Sequence, residues 1–169
     1  MGKLLKSTYK IMQQPVQHVE DAEEFIKSIE CLRACEDLLM QADLYKGCRG
    51  LSAPQIGIRH RIILVKLTRK GRFVVMVEPE IVKQWGSLKS QEGCLSIGRE
   101  VQYIVKRPIF GIVKYWDYET KQQKTRFLLR GGMRTVCHEI DHLEGKCLDK
   151  VGVEWQCNKY LQSYLRKNR

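Results

Sequence analysis

The run His138-Glu139-Ile140-Asp141-His142 decides how the rest of this 169-residue chain is read. Two histidines four apart lie one above the other on a helix, so both imidazoles can reach one metal ion. The glutamate directly after the first histidine can reach a water on that ion. This is the layout of a hydrolytic metal centre. It predicts a helix over Thr135–Leu143, with Gly145 just past its end as a C-cap. The run supplies only two ligands, whereas a catalytic site of this kind commonly takes three and leaves a position open for water.

Upstream, the foremost candidate for the third ligand is Cys94, in Gln91-Glu92-Gly93-Cys94-Leu95-Ser96. Gly93 lets the backbone turn there or approach something closely. The segment follows a break at Trp85-Gly86-Ser87, where strand pattern stops. A thiol in such a place can equally be plain core, and the residues alone leave both readings open. The chain has seven cysteines, an odd number without a CxxC pair. That argues for a reducing compartment and against a disulfide framework or a four-cysteine zinc module. Cys31 and Cys35 sit four apart with no histidine nearby and read as packing, since free cysteine behaves as a small buried hydrophobe.

Further outward, residues 21–44 read as one helix. Asp21 caps it, Glu23 and Glu24 suit its first turn, and Phe25, Ile29, Leu32 and Leu39 recur at helical spacing. Strands are expected at Arg61–Leu67, Phe73–Val77 (closed by Glu78-Pro79), Val101–Val105, Ile109–Tyr118 and Lys124–Leu129. A final amphipathic helix is expected over Trp155–Leu165. The order predicts an α+β fold, with antiparallel β-sheets packed around a central metal-binding helix and a C-terminal helix, all in a single domain spanning 1–169.

Hydrophobic residues make up 43% of the chain, enough for a core without staples. No apolar run approaches the roughly 20 residues that cross a membrane. The basic start has no signal-peptide pattern, and Lys6 stands where a myristoylation signal wants Ser or Thr. The expectation is a soluble, unprocessed, intracellular protein with no membrane and no DNA partner. The formal charge of +11 is either a solvated lysine-rich surface or a sign of residence near a polyanion such as the ribosome.

Three segments in this order resemble the peptide deformylases. Gly50-Leu51-Ser52-Ala53-Pro54-Gln55 looks like that family's GxGxAAPQ loop, Glu92-Gly93-Cys94-Leu95-Ser96 matches its EGCLS segment, and His138-Glu139-Ile140-Asp141-His142 matches its HExDH helix. The likeness runs over roughly residues 8 to 150. The resemblance implies removal of the formyl group from formyl-methionine of newly made polypeptides. It implies that Cys94, His138 and His142 hold one divalent metal, with water in the fourth position as nucleophile. Iron(II) is favoured in the cell, and zinc, nickel or cobalt can substitute. Glu139 would serve as general base and then acid. The Gln55 side-chain amide and the Leu95 N–H would stabilise the oxyanion. Substrates of the family lie extended between the glycine loop and the cysteine segment, so Gly50 and Gly93 are expected at the peptide. Val136 and Cys137 are expected to line an apolar pocket suited to methionine. Asp141 is expected to make a supporting ion pair, with Arg107 one candidate partner. His18 and His60 fall outside any motif.

The chain departs from the family pattern at Cys48 (first loop glycine), Ser52 (first alanine), Gly98 (often proline) and Cys137 (often glutamine). None of these removes a ligand, the base or an oxyanion donor, so an active enzyme with shifted preference is expected. The stretch Gly98–Val105 looks slightly shortened or shifted, and Arg99 is one candidate there for a basic peptide contact. The tail from Trp155 onward carries Lys159, Arg166, Lys167 and Arg169 and no acid. It reads as a packing helix or, as in some relatives, a ribosome-docking helix. The lack of a transit segment points to a bacterial-type cytoplasm, with phage or organelle as other sources. The nearest rivals are a zincin-type protease, which lacks a downstream third ligand here, and a catalytically silent ribosome-binding module, against which Glu139 and Gln55 speak.

Overall fold

The computed structural model describes residues 4–155, the side chain of Arg99 excepted. In chain order the elements are α1 (Ala22–Phe25), α2 (Ile29–Asp43), β1 (Gly50–Ser52), β2 (Ile62–Lys66), β3 (Phe73–Trp85), β4 (Leu88–Cys94), β5 (Gly98–Arg107), β6 (Phe110–Asp117), β7 (Gln122–Leu129), α3 (Arg130–Leu143), α4 (Leu148–Val151) and β8 (Gly152–Glu154). Short 3₁₀ turns cover Lys10–Gln13 and Ala53–Ile56. The strands form an antiparallel five-stranded sheet, β1-β2-β3-β6-β7, and a three-stranded sheet, β4-β5-β8.

Ile62-Ile63-Leu64-Val65 is apolar at every position because β2 is covered on both faces. Side chains alternate along a strand. Ile62 and Leu64 pack with Cys31, Cys35 and Leu38 of α2, whereas Ile63 and Val65 pack with Met133, Val136 and Ile140 of α3. Each fully buried aliphatic side chain is worth about 1.5–3 kcal/mol. The larger sheet is thus held between two helices, and α3 is the inner one that carries the two histidines. The expected α+β class, with antiparallel sheets packed around a central helix, is what the chain adopts.

Several elements differ from expectation for local reasons. The first helix is two, because Ser28 caps a new start by accepting from the Cys31 N–H at 3.1 Å, while Asp21 caps the short α1. Strand β3 does not close at Glu78-Pro79. It continues to Trp85 through a bulge between Val77 and Glu80, where Pro79 owes the ladder no N–H. Glu78 sits there at φ +49°, its carboxylate beside His18 and Arg61. Helix α3 starts at Arg130, five residues before the expected Thr135, despite Gly131 and Gly132. A Cβ on Gly132 would press on the Leu67 carbonyl oxygen at 3.0 Å, so glycine is what lets the helix dock on the sheet. Strand β4 was not expected at all. Its inward residues are Ser90, Glu92 and Cys94, so its alternation is not apolar.

Trp155 continues the pairing of β8 with β5 by donating its N–H to the Gln102 carbonyl at 2.8 Å. The rest of the expected tail helix, Lys159, Arg166, Lys167 and Arg169 included, lies outside the described residues. No helix among the described residues is long and apolar enough to cross a membrane.

Candidate metal centre

Helix α3 presents His138 and His142 from successive turns, and the end of β4 brings Cys94 against them. The three donor atoms lie within 4.8 Å of one another. Cys94 Sγ is 3.3 Å from His142 Nε2, and the two imidazoles stand edge to face at 5.0 Å between centroids. Both rings are fixed from behind. His138 Nδ1 meets Glu92 Oε2 at 3.0 Å, and His142 Nδ1 meets Cys147 Sγ at 3.6 Å. Each ring therefore turns its Nε2 toward the thiol, the arrangement by which outer partners orient metal-binding histidines.

The electrostatics of the centre follow from burial and from one ion network. Arg107 donates to both Glu92 oxygens at 3.0 Å and to Asp141 Oδ2 at 2.5 Å, so the expected Asp141–Arg107 pair forms and Glu92 joins it. Burial alone would raise the Glu92 carboxyl, but its bonds to His138 and Arg107 outweigh that and hold it at about 2. Burial also opposes charge on His138, yet bonding to Cys94 and Glu92 raises its pKa well above the usual imidazole value. His142 shifts well below it, through burial and the neighbouring His138 and Arg107. The two rings thus respond oppositely, which lets one neutral imidazole lie close to the thiol.

Glu139 projects from the same helix face toward the cleft. Its side chain is 3% exposed, and its Oε2 has no hydrogen-bond partner. Burial, aided by Glu92 and Asp141 against His138 and Arg107, raises its carboxyl to about 7. An orphaned buried carboxylate oxygen is costly unless something polar completes it. Three convergent soft and borderline donors beside it fit a divalent cation with a water. Gly50 is packed on this carboxylate so closely that a Cβ there would collide with it.

Gln55 sits on the 3₁₀ turn after β1. Its Oε1 accepts from the Ser52 N–H at 2.9 Å and the Ser52 hydroxyl at 3.0 Å. Its Nε2 donates to Ser96 Oγ at 3.0 Å and lies 3.8 Å from Cys94 Sγ. The departure to serine at position 52 thus adds a hydroxyl that fixes the Gln55 amide. Gln55 is both a turn residue and a donor aimed at the centre. Cys48, the other loop departure, donates its thiol to the Gly50 carbonyl at 3.2 Å. Gly98 sits at φ +132°, which favours glycine at the position where proline was the family norm.

A cleft of about 400 Å³ opens beside the donors, lined by Gly50, Gln55, Gly93, Leu95, His138 and Glu139 among others. Its two long sides are sheet edges, β1 of the larger sheet and β4 of the smaller. Val136 and Cys137, expected at the peptide side-chain pocket, do not line it. They are buried with Ile63, Val65 and Met76, and burial pushes the Cys137 thiol up to about 12. The helix periodicity explains this correction, because Arg134 and Thr135 are the α3 residues that share the cleft face with His138. Of the remaining expectations, Cys31 and Cys35 are packed in the core, and no disulfide forms among the described residues. His18 and His60 are peripheral and pair with Glu78 and Glu30. The sequence reading gave Glu92 no role. Its position two before Cys94 on a strand, hence on the same face, was the signal that could have found it.

The polypeptide deformylase family model matches residues 1–152 of the chain. The chain is 33% identical over 147 residues to a peptide deformylase of Dictyoglomus thermophilum, covering 85% of this chain and 88% of that protein. It is 37% identical over 103 residues to one of Lachnoclostridium phytofermentans, covering 59% of this chain and 60% of that relative's length. Among solved structures, it resembles the Met-Ala-Ser-bound class I type b peptide deformylase of Acinetobacter baumannii. The TM-score is 0.75 and the identity 25%, over 88% of this chain and 97% of that one.

Proposed function

The chain belongs to the polypeptide deformylase family, and we propose that it removes the N-terminal formyl group of newly made polypeptides at Cys94, His138 and His142. The convergence of those three donors within 4.8 Å, beside a buried carboxylate oxygen without a partner, carries this reading. When bound, a divalent metal supplies Lewis acidity and lowers the pKa of a water. Iron(II) is the metal we assign in the cell, and zinc, nickel or cobalt suit the same donors.

The chain's own residues do the rest. Glu139, held near 7, takes the proton from the attacking water and passes one to the leaving amine, a double role that needs a pKa close to the working pH. Negative charge grows on the formyl oxygen as the carbon becomes tetrahedral. The Gln55 amide, fixed by Ser52 and Ser96, and the Leu95 N–H are the donors for it. Removing one such donor costs about 2.7–4 kcal/mol in other enzymes. The C–N bond then breaks, giving formate and a free amino terminus. The peptide runs between the edges of β1 and β4, where main-chain bonds can add it as a strand. Gly50 and Gly93 keep that path open. The Met-Ala-Ser complex of the Acinetobacter relative supports a short peptide in this groove. A bacterial-type cytoplasm, where formylated chains are made, is the location that fits.

The test is metal stoichiometry and activity together. Protein loaded anaerobically with iron(II) or nickel should hold one ion per chain and release formate from formyl-Met-Ala-Ser. Cys94→Ala should lose both. Full metal retention by that variant would contradict the ligand set.

A further inference from the structure

The cleft wall is more basic than an apolar peptide side chain needs. Arg134 lies one helical turn before His138, on the same face of α3, and Thr135 follows it. Across the cleft, the loop leading into β1 contributes Lys46 and Arg49. Among the described residues, Leu95 is the one large aliphatic side chain on the wall.

Neither carboxylate on the wall pairs with Arg49 or Arg134. Glu92 is held by Arg107 and His138, and Glu139 is the buried base. Among the described residues, no ion pair reaches Arg49 or Arg134. Arg134 donates to the neutral Ser90 hydroxyl at 3.2 Å. Arg49 Nε is buried without a partner, although its backbone carbonyl is tied down by the Lys66 N–H at 2.7 Å. Arg49 thus lines the cleft with a guanidinium that no carboxylate neutralises and whose donors are not all used, so an entering acceptor can gain by pairing with it. Arginine's fork suits a carboxylate, with two parallel N–H bonds to its oxygens.

We propose that this cleft selects formylated peptides carrying carboxylate side chains in the residues just behind the formyl-methionine, with Arg49 and Arg134 pairing with them. The proposal rests on the deformylation reading for the identity of the scissile bond, while the charge preference rests on the wall itself. Charges partly exposed in a cleft act with moderate strength and are screened by salt. The preference is therefore a matter of KM and encounter more than of kcat.

The experiment compares formate release from formyl-Met-Glu-Glu, formyl-Met-Ala-Ser and formyl-Met-Lys-Lys by the metal-loaded protein at low and high salt. The acidic peptide should exceed the neutral one by roughly threefold to tenfold in kcat/KM at low salt, mostly through KM. The lysine peptide should fall below both, and the spread should shrink as salt rises. In Arg49→Gln and Arg134→Gln, the acidic-to-neutral ratio should drop toward one. Binding of the product peptides Met-Glu-Glu and Met-Ala-Ser is measured by calorimetry alongside. If no peptide releases formate, the reaction reading fails, and the calorimetric ratio still decides the charge preference. Equal handling of acidic and neutral peptides, or a ratio that survives both substitutions, would overturn the proposal.

Discussion

The two sides of the cleft are built on opposite principles. Around Cys94, His138 and His142, the proposed metal ligands, most polar side chains are buried and held. Arg107 spans Glu92 and Asp141, Glu92 holds His138, Cys147 backs His142, and Ser52 and Ser96 fix Gln55. On the peptide side, Arg49 and Arg134 are half-buried, with at most a neutral hydroxyl for company. The contrast teaches that the chemistry is preorganised and costly to disturb, whereas selection is left to side chains that can reorient when a peptide arrives. Substitution on the first side should damage stability, metal binding and rate together. Substitution on the second should shift preference.

Leaving aside the ligands and Glu139, Arg107 should show the largest effect. Arg107→Met strands two buried or half-buried carboxylates, and breaking a buried pair in this way costs about 3–5 kcal/mol. Thermal melting should show it. Metal affinity should also fall about 10- to 100-fold, because Glu92 no longer holds the His138 ring. A variant with wild-type melting and metal affinity would erase the contrast between the two sides.

Gly50 sharpens it from the other direction. It belongs to the peptide wall yet touches the base, so Gly50→Ala forces the Glu139 carboxylate to move. Formate release should fall by about tenfold to a hundredfold, with little change in melting, since small misplacements of catalytic groups are that costly. A loss confined to KM would mean that the alanine obstructs peptide and leaves the base alone.

The smallest effect expected is the pH response of Glu92. Its carboxyl is held at about 2, below the ordinary 4.5. A depressed folded-state value stabilises the protein at pH above the unfolded value, and the contribution is lost as pH falls toward the folded value. In metal-free protein, the melting gap between wild type and Glu92→Gln should be about 1–2 kcal/mol near neutral pH and close between about pH 4.5 and pH 2. A gap that persists to the bottom of that range would remove the charge from the account of this network.

Much of this was legible in the sequence because the metal centre obeys simple periodicities. His138 and His142 at helical spacing, with Glu139 between them, place two imidazoles and a carboxylate before any fold is known. The continuous apolar run of β2 and the amphipathic pattern of α2 give the layers. Strand β4 was not legible, because its inward positions are Ser90, Glu92 and Cys94, polar residues whose burial depends on partners distant in sequence. The same strand hid the role of Glu92. Val136 and Cys137 were expected at the cleft from their adjacency to His138, whereas the helix turns Arg134 and Thr135 to that face. Helix α3 starts before the expected Thr135, and its close approach to Leu67 requires Gly132 there.

The measurement that bears most directly on the central claim is formate release from formyl-Met-Ala-Ser by protein prepared anaerobically with iron(II) or nickel, run beside Glu139→Gln. The account predicts steady release by the wild type. It predicts a loss of at least about 10²-fold in the variant, with the metal content of the two proteins equal. Equal turnover by the two metal-loaded proteins, or none from a folded, metal-loaded wild type, would contradict it.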